Sequence, residues 1–420
     1  MVVGAFALFM LLSMGVYAFS LGWRWERDYI HFYKAGEAAR TGADIYLSGL
    51  GGYIYPPLIS VLMLPLSAID YHWSAVLWTI VNTGIMVAAS WLLAREVCQR
   101  FGAGAAWAHD TVLAWVIAGA GTLAVFDKAR AVIQNGQTDT VTLILIAAGF
   151  RCERHRPFLC GFWLGLACAV KYHALIFLIY FMTRGRVREC AGMLTGMIVG
   201  ACAGVPVWGW RTNTDYLRRA AGGMIDMFHI RTDYGPGVAV HSLDWLQSVS
   251  VTSGLARMIG HHEHAWLFAA SCGGVAGAAF LVGWWMVTRA GFSLFQGRWG
   301  GAERGSDDAP RAMLVGVEWA GLIAATVVFS PQSVARHFYL MAFPAVIVAP
   351  AMFFPRAGAP RWPVVAAWGL MFLSMILPPP VPRWSHAVFQ WRFVAGMGWC
   401  ALVYYFAVLW VTLRWIRAGR

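Results

Sequence analysis

The sequence predicts an all-α protein that crosses a membrane many times. Of its 420 residues, 59% are hydrophobic and only 12% are charged, whereas soluble domains carry about 25% charged residues. Apolar segments recur from one end of the chain to the other, and many approach the roughly 20 residues that a helix needs to span a bilayer core. Together these observations predict a polytopic helical membrane protein.

The apolar segments predict about 12 transmembrane or re-entrant helices. The first segment is too long for the apolar part of a signal peptide and lacks an A-x-A-type cleavage site, so we predict a retained anchor helix. The segments lie near residues 2–22, 73–95, 109–126, 138–150, 158–170, 173–183, 190–208, 265–288, 312–329, 338–354, 363–377 and 393–413.

The arginines predict the orientation of these helices, because basic residues concentrate in cytoplasmic loops. If the C-terminal arginines lie in the cytoplasm, the alternation of the helices places both termini there. We therefore predict a multi-pass protein of the cell (inner or plasma) membrane. The net charge of +12 is then explained by helix ends and lipid headgroups, so we expect no nucleic-acid partner. The inner loops carry Arg95, Arg100, Arg151, Arg154, Arg156, Arg184, Arg186, Arg188, Arg356 and Arg361.

We predict one transmembrane domain, residues 1–420, with three long loops. Residues 23–57 and 209–264 form the first and second extracytoplasmic loops, and residues 289–311 form a cytoplasmic loop. Because the cytoplasmic loops contain arginines, few acids and almost no histidine, any chemistry is expected to face outward. The eight cysteines avoid the predicted outer loops, so we expect no disulfide framework, and their spacing resembles no metal site.

Two predicted crossings are too short for a membrane. Phe158–Val170 and His173–Thr183 would each rise less than about 20 Å, against a core of about 30 Å. One continuous helix, Phe158–Thr183, would bury Lys171 at its middle and place arginines on both sides of the membrane. We therefore favour a broken or re-entrant pair with Lys171 at an outward tip, and a similar break within Asp110–Phe150. Such interruptions are tolerated in a protein-lined or wet cavity and often form a ligand site.

Four outward polar segments are therefore predicted to converge: the first loop, the Lys128–Asp139 turn, the tip at Lys171, and the Arg336–His337 loop. Cations beside histidine at membrane depth suit a lipid-linked phosphate, with apolar helix grooves for a polyprenyl tail. Asp28 opens a probable helix just above the bilayer and is the candidate general base. The predicted phosphate-binding residues are Lys171, Arg336, His337 and Arg130.

A second set of residues could bind sugar, and each has a structural alternative. Interfacial tyrosines are common in membrane proteins, a lone histidine is often a satisfied structural group, and amides can cap free backbone groups. Asp28 could likewise be only a helix N-cap, and Lys171 could snorkel to the interface. The predicted sugar-binding residues are His241, Tyr33, Tyr55, Asn135 and Gln137.

Several segments resemble a known family. "RDYIHFYKAGEAARTGADIYLSGLGGYIYPPLISVLMLPLSAI", Arg27–Ile69, resembles the first outer loop of glycosyltransferase family 87, the polyprenyl-phosphate-mannose-dependent α-mannosyltransferases. Further segments resemble later parts of that family in the same order, over about Val2–Pro350. They are "NGQTDTVTLIL", "GFWLGLACAVKYHALIFLIYFMTRGR", "HSLDWL" and "FSPQSVARHFYL".

The resemblance implies a GT-C fold and transfer of a sugar outside the cytoplasm with inversion, without a required metal or other cofactor. The family's loop aspartate, its proposed general base, falls on Asp28. The sequence departs from the family pattern at His173-Ala174, at His241 and at Val334-Ala335, which lie in the presumed donor region and leave mannose, arabinose and glucose open.

The expected function is transfer of a hexose, mannose first, from a polyprenyl-phosphate sugar to a lipid- or glycan-linked hydroxyl. The expected partners are that donor, a glycolipid or glycan acceptor, and membrane lipids. A flippase or transporter for lipid-linked sugars is the alternative, although such proteins often show inverted repeats and this sequence shows no convincing internal repeat. A non-catalytic scaffold would not need four polar clusters on one side.

Overall fold

The computed structural model describes residues 2–25, 27–48, 53–102, 105–226, 238, 241–292, 309–331, 333–376 and 386–419. These residues are mostly helical, which confirms the predicted fold class. The helices are α1 Val2–Gly22, α2 Tyr29–Thr41, α3 Pro57–Leu62, α4 Tyr71–Phe101, α5 Thr111–Ala124, α6 Phe126–Asn135, α7 Asp139–Cys152, α8 Pro157–Val170, α9 Ile176–Thr183, α10 Val187–Cys202, α11 Val205–Asp226, α12 Val251–Ile259, α13 Ala265–Arg289, α14 Ala309–Phe329, α15 Ala342–Phe353, α16 Trp362–Ile376, α17 His386–Phe393 and α18 Gly396–Arg417.

Each of the predicted apolar segments falls on a helix. In the described part of the chain, five helices are individually long and apolar enough to cross a membrane, and up to seven spans result if each of two bent pairs counts as one. One bent pair is α5 with α6, which meet at 79° and confirm the predicted break within Asp110–Phe150. The other is α10 with α11, bent by 100°.

The predicted long loops are only partly described. Most of the predicted cytoplasmic loop 289–311 lies outside the described residues, as do residues 227–237 and 239–240 of the second outer loop. Within that second loop, residues 210–226 continue α11 beyond a kink at Gly209, whose φ of 75° favours glycine. Residues 251–259 form α12. Both parts of the second long loop are therefore helical.

Helices α8 and α9 are two half-helices joined by a chain reversal. Lys171 adopts an extended conformation after α8 (φ −147°, ψ 133°), and a short 3₁₀ segment, Tyr172–Leu175, leads into α9. Glu153, just before α8, forms an ion pair with Arg186, just after α9. Both ends of this segment therefore lie on the same side, which confirms the re-entrant prediction and excludes a single spanning helix.

Helix α10 runs parallel to α8 and packs against it through glycines. A Cβ on Gly161 of α8 would overlap the Glu189 carbonyl oxygen, and a Cβ on Gly196 of α10 would overlap the Phe162 carbonyl oxygen. Contact points advance along both helices in the same direction, from Gly161 near Glu189 to Ala169 near Gly200. Small residues four positions apart allow this close backbone approach between membrane helices.

The first outer loop folds over the ends of these helices as an aromatic layer. Tyr29, Tyr46 and Tyr53 are almost fully buried there. The Tyr29 hydroxyl lies 2.5 Å from Ser74 Oγ on α4. On the other side of the loop, Arg219 of α11 donates to Asp44 at 2.6 Å. The layer is thus fixed to both α4 and α11, which gives Asp28 a rigid support.

An ion network lies on the side of the helix assembly opposite the aromatic layer. The buried Arg100 donates to Glu96 Oε1 at 2.8 Å and to Glu153 Oε2 at 3.1 Å. Arg186 also pairs with Glu153. Buried charges are tolerated when each has a partner, and this network joins α4 to the turns before α8 and after α9.

Replacing Gly196 by alanine tests the close packing of α8 and α10. The added methyl group meets backbone at Phe162, so we expect a loss of about 1–3 kcal/mol of stability, as for other overpacked sites. The measurement is the thermal unfolding midpoint of the purified protein in detergent. Gly277→Ala on α13, where the same methyl group meets nothing within 4 Å, should leave the midpoint unchanged or slightly higher. Equal losses in both variants would contradict the packing argument.

Candidate active site

Asp28 lies at the N-terminus of α2, but its side chain does not cap that helix. Instead, its Oδ2 atom accepts a hydrogen bond from Gln137 Nε2 at 2.6 Å. The same oxygen lies 2.8 Å from Arg336 Nη2, and the Asp28 side chain is 33% exposed. The carboxylate is therefore held by two donors from distant segments while remaining accessible, which argues against the simple N-cap alternative.

Lys171 lies at the break between α8 and α9, and its ammonium group is buried. Its Nζ atom donates to Asp139 Oδ2 at 2.9 Å and lies 3.4 Å from Gln137 Oε1. It also lies 3.3 Å from His337 Nε2. Because an ammonium group only donates, His337 Nε2 accepts here and the ring proton sits on Nδ1. These partners offset the cost of burying the cation, and the side chain does not snorkel.

Gln137 joins these two groups. Its amide nitrogen donates to Asp28, and its amide oxygen faces Lys171 Nζ and the Tyr55 hydroxyl, which lies 3.3 Å away. A flipped amide would place its NH₂ group against the ammonium group of Lys171 and its oxygen against the Asp28 carboxylate, so these two contacts fix the orientation of the amide. Gln137 therefore links the acidic and basic halves of the site.

The backbone before Gln137 is held by three side chains. Arg27 donates to the Ile133 and Gln134 carbonyl oxygens at 3.1 and 2.7 Å. From α4, Trp78 Nε1 donates to the Gly136 carbonyl oxygen at 2.8 Å, and Asn82 Nδ2 donates to that of Gln137 at 2.9 Å. With Gly136 in the left-handed conformation (φ 66°), α6 ends sharply and the amide of Gln137 is directed into the site.

Sequence reasoning missed these supporting residues. Ser74, Trp78 and Asn82 follow one another at intervals of four along α4, which places them on one face of an apolar helix. A polar stripe on a membrane helix is the signal that could have identified them. Arg27 and Asp139 carried a weaker signal, since they lie next to residues already singled out.

The Arg336–His337 segment is positioned by the second long loop. Val249 N donates to the Ser333 carbonyl oxygen at 2.8 Å. Ser253 Oγ donates to the Pro331 carbonyl oxygen, also at 2.8 Å. These bonds hold the chain just before the 3₁₀ segment Ala335–Met341. The predicted convergence of four polar segments is thus observed, with the second loop as an additional support.

Six of the sequence-predicted site residues come together in this way. Tyr55 joins through its hydroxyl, and its ring centroid lies 5.7 Å from Lys171 Nζ. The described contacts connect Asp28, Gln137, Lys171, Tyr55, Arg336 and His337 into one cluster.

Arg130 is placed differently from the prediction. Its guanidinium pairs with Asp127 on its own helix at 2.9 Å, and half of its side chain is exposed. Lys128, the other cation of this helix, donates to Asp127 and to the Met375 carbonyl oxygen at 2.6 Å. In the described contacts Arg130 pairs within α6 and not with the cluster around Lys171, and its role as a phosphate ligand stays a prediction.

The other three predicted sugar-binding residues also make structural contacts. The Tyr33 hydroxyl donates to the Ile69 carbonyl oxygen at 2.9 Å, which packs the first loop on the start of α4. Asn135 donates to the Ala131 carbonyl oxygen at 2.8 Å and so completes its own helix. His241 stacks on Trp245 at 3.7 Å, and partial burial lowers its pKa. These contacts lie apart from the Gln137 cluster, and sugar binding by the three residues stays a prediction.

Several buried polar atoms at the site have no hydrogen-bond partner in the described part of the protein. They are Arg336 Nε, His337 Nδ1, His173 Nδ1 and Asp139 Oδ1. The rings of His173 and His337 meet edge to face at 5.0 Å. These four atoms could bond to a polar ligand placed between the two rings and the carboxylate.

Comparison with known proteins adds independent information. The sequence model of glycosyltransferase family 87 matches residues 53–296, a range that includes Tyr55, Gln137, Asp139 and Lys171. A polyprenol-phosphate-mannose-dependent alpha-(1-2)-phosphatidylinositol mannoside mannosyltransferase from Mycolicibacterium smegmatis is 24% identical over 237 residues, which cover 50% of this chain and 52% of that protein. The chain therefore matches about half the length of that curated relative.

Among solved structures, ArnT from Cupriavidus metallidurans in the apo state aligns with a TM-score of 0.40 and 14% identity, covering 100% of this chain and 78% of that chain. The family model alone extends over more than half of the chain. The chain belongs to glycosyltransferase family 87.

Proposed function

We propose that this protein is a membrane glycosyltransferase that moves a hexose, most simply mannose, from a polyprenyl-phosphate sugar to a hydroxyl of a lipid- or glycan-linked acceptor. The observation that carries this proposal is the cluster in which Gln137 joins an accessible carboxylate, Asp28, to a buried cation, Lys171. The name of the mycobacterial relative supports mannose and a polyprenyl-phosphate donor. The orientation predicted from the arginines supports an extracytoplasmic site.

In the proposed reaction, Asp28 is the general base. The acceptor oxygen forms a bond to the anomeric carbon of the donor sugar while the bond from that carbon to the phosphate oxygen breaks. The hydroxyl proton passes to the Asp28 carboxylate, and polyprenyl phosphate departs. Attack from the side opposite the phosphate inverts the configuration, so Asp28 would act on the face of the sugar opposite the departing phosphate.

The departing phosphate would be stabilised by Lys171, Arg336 and His337. Charged donors that act where negative charge develops are the strongest electrostatic contribution available to such a site. Lys171 is held beside Asp139, and to donate to a phosphate oxygen its ammonium group would exchange one of its three present acceptors. Arg336 Nε and the Nδ1–H of His337 have no partner in the described part of the protein and offer two further donors for phosphate oxygens.

Arg336 also has a second role in this proposal. It pairs with Asp28 Oδ2 at 2.8 Å, the oxygen that also accepts from Gln137. A donor phosphate competes for the same guanidinium. When Arg336 turns to the phosphate, Asp28 keeps its bond to Gln137 and can accept a hydroxyl proton. This predicts that the donor binds before the acceptor.

A groove next to the site supports a lipid-linked donor. It has a volume of about 430 Å³, lies between α9, α13, α14 and α18, and is lined mainly by apolar side chains. Ile176 and Phe329 line one end, beside the hydrogen bond of 2.9 Å between Tyr172 and Ser330. Tyr172 follows Lys171 directly, so a tail in the groove would start near the phosphate-binding cations.

The first test replaces Asp28 by asparagine, which keeps the shape but removes the base. We expect kcat/KM for sugar transfer to fall by about 100-fold or more. The assay follows label from polyprenyl-phosphate sugars to a lipid extract, with purified protein in nanodiscs. Asp70→Asn is the matched control, because Asp70 caps α4 through His72 N and asparagine caps equally well.

Unchanged transfer by the Asp28→Asn variant would remove Asp28 as the base. If the unmodified protein transferred no sugar from any donor but moved lipid between leaflets, the flippase alternative would replace the proposed function.

The second test separates the two roles of Arg336 by measuring donor binding instead of turnover. Arg336→Gln should weaken binding of polyprenyl-phosphate mannose about tenfold or more, because a charged hydrogen bond to phosphate is lost. Asp28→Asn should leave this binding unchanged or tighten it, because the competitor for Arg336 is removed. The measurement is the donor Kd from a fluorescence titration in nanodiscs. Weaker donor binding by Asp28→Asn would contradict the competition between Asp28 and phosphate.

A further inference from the structure

We propose that the protein has a second anion site, on the side opposite Asp28, which binds the phosphate of an anionic phospholipid. The site is a cavity of about 470 Å³, here called the basic pocket, and its volume lies within the range of about 300–1,000 Å³ typical of small-molecule sites. Its lining includes Arg151, Arg154, His155, Arg156, Glu96 and Gln99.

The basic pocket is separate from the candidate active site. Helix α7 starts at Asp139, which contacts Lys171, and ends at Cys152 beside the pocket. Its 14 residues rise about 21 Å, so the two sites lie near opposite ends of one helix. The pocket lies between the C-terminal part of α4 and the turn that joins α7 to α8, and the proposed reaction uses none of its residues.

Its charge balance favours an anion. Three guanidinium groups line the pocket, and Glu96 is the carboxylate among the residues that line it. Glu96 is already paired with the buried Arg100 at 2.8 Å and with Arg151 at 3.6 Å. The neighbouring Glu153 is paired with Arg100 and Arg186. The acids are thus paired from within the protein; Arg156 is exposed, and Arg151, although it lies 3.6 Å from Glu96, is half exposed as well.

The surroundings of the pocket favour a lipid as the carrier of the phosphate. Planar guanidinium groups bind phosphate through two parallel hydrogen bonds, which suits arginine better than lysine. Exposed apolar side chains lie close by: Phe158 follows the turn directly and is 45% exposed, and Val187 at the start of the adjacent α10 is 74% exposed. A phospholipid can place acyl chains on this surface and its phosphate in the pocket, as at other basic pockets near the ends of membrane helices.

The test measures lipid retention on the full-length protein in detergent by native mass spectrometry. Phosphatidylglycerol should be retained about tenfold more than phosphatidylcholine. The double variant Arg151→Gln/Arg156→Gln should lose about 90% of that preference, since each cation near a membrane contributes about 1 kcal/mol. Arg188→Gln is the matched control, because Arg188 is an exposed arginine on the same side but outside the residues that line the pocket.

A second variant tests the basic pocket independently, in case the double variant does not fold. Gln99→Glu has nearly the same shape but places a negative charge in the pocket, and it should reduce retention of phosphatidylglycerol while the thermal unfolding midpoint stays unchanged. Millimolar inorganic phosphate should not displace the lipid; complete displacement would identify a soluble phosphate as the ligand. Equal retention by all variants, or an equal loss in Arg188→Gln, would overturn the proposal.

Discussion

The burial of one cation, Lys171, constrains the rest of this site. A buried ammonium group beside interrupted membrane helices is costly unless several acceptors surround it. Gln137 and Asp139, from the turn between α6 and α7, and His337, from the segment before α15, supply these acceptors. The reversal between α8 and α9, the end of α6 and the segment before α15 must therefore meet at one point. Tyr55 and the accessible Asp28 are then connected to that point through Gln137.

Side chains outside the site hold its polar segments in place. Arg27, Trp78 and Asn82 bind the carbonyl oxygens of residues 133, 134, 136 and 137. Catalytic groups need such supports, because small displacements of a base or a phosphate ligand reduce rates strongly. The second long loop gives the same support to Arg336 through its bonds to residues 331 and 333. The two long loops therefore support the site as well as covering it.

The charges are arranged differently at the two ends of the helices. At the site, cations and carboxylates are paired, yet several polar atoms lack partners in the described part of the protein. At the opposite end, Arg100 and Arg186 pair with Glu96 and Glu153, and Arg151 and Arg156 stay exposed beside them. The first arrangement suits a charged ligand that replaces an internal pair. The second suits an anion that adds to an existing excess of positive charge.

The sequence by itself determined the membrane class, the positions of the apolar helices, the re-entrant pair at Lys171 and the segments that converge, because helix length and polarity are local properties. It also identified Asp28 and Lys171 as candidate site residues. Only the tertiary structure decided that Gln137 joins them, that Arg130 pairs within α6 and that Tyr33 packs the first loop. The reason is that partner choice for a polar side chain depends on helix rotation and on distant carbonyl groups, such as those held by Arg27 and Asn82, which sequence spacing does not specify.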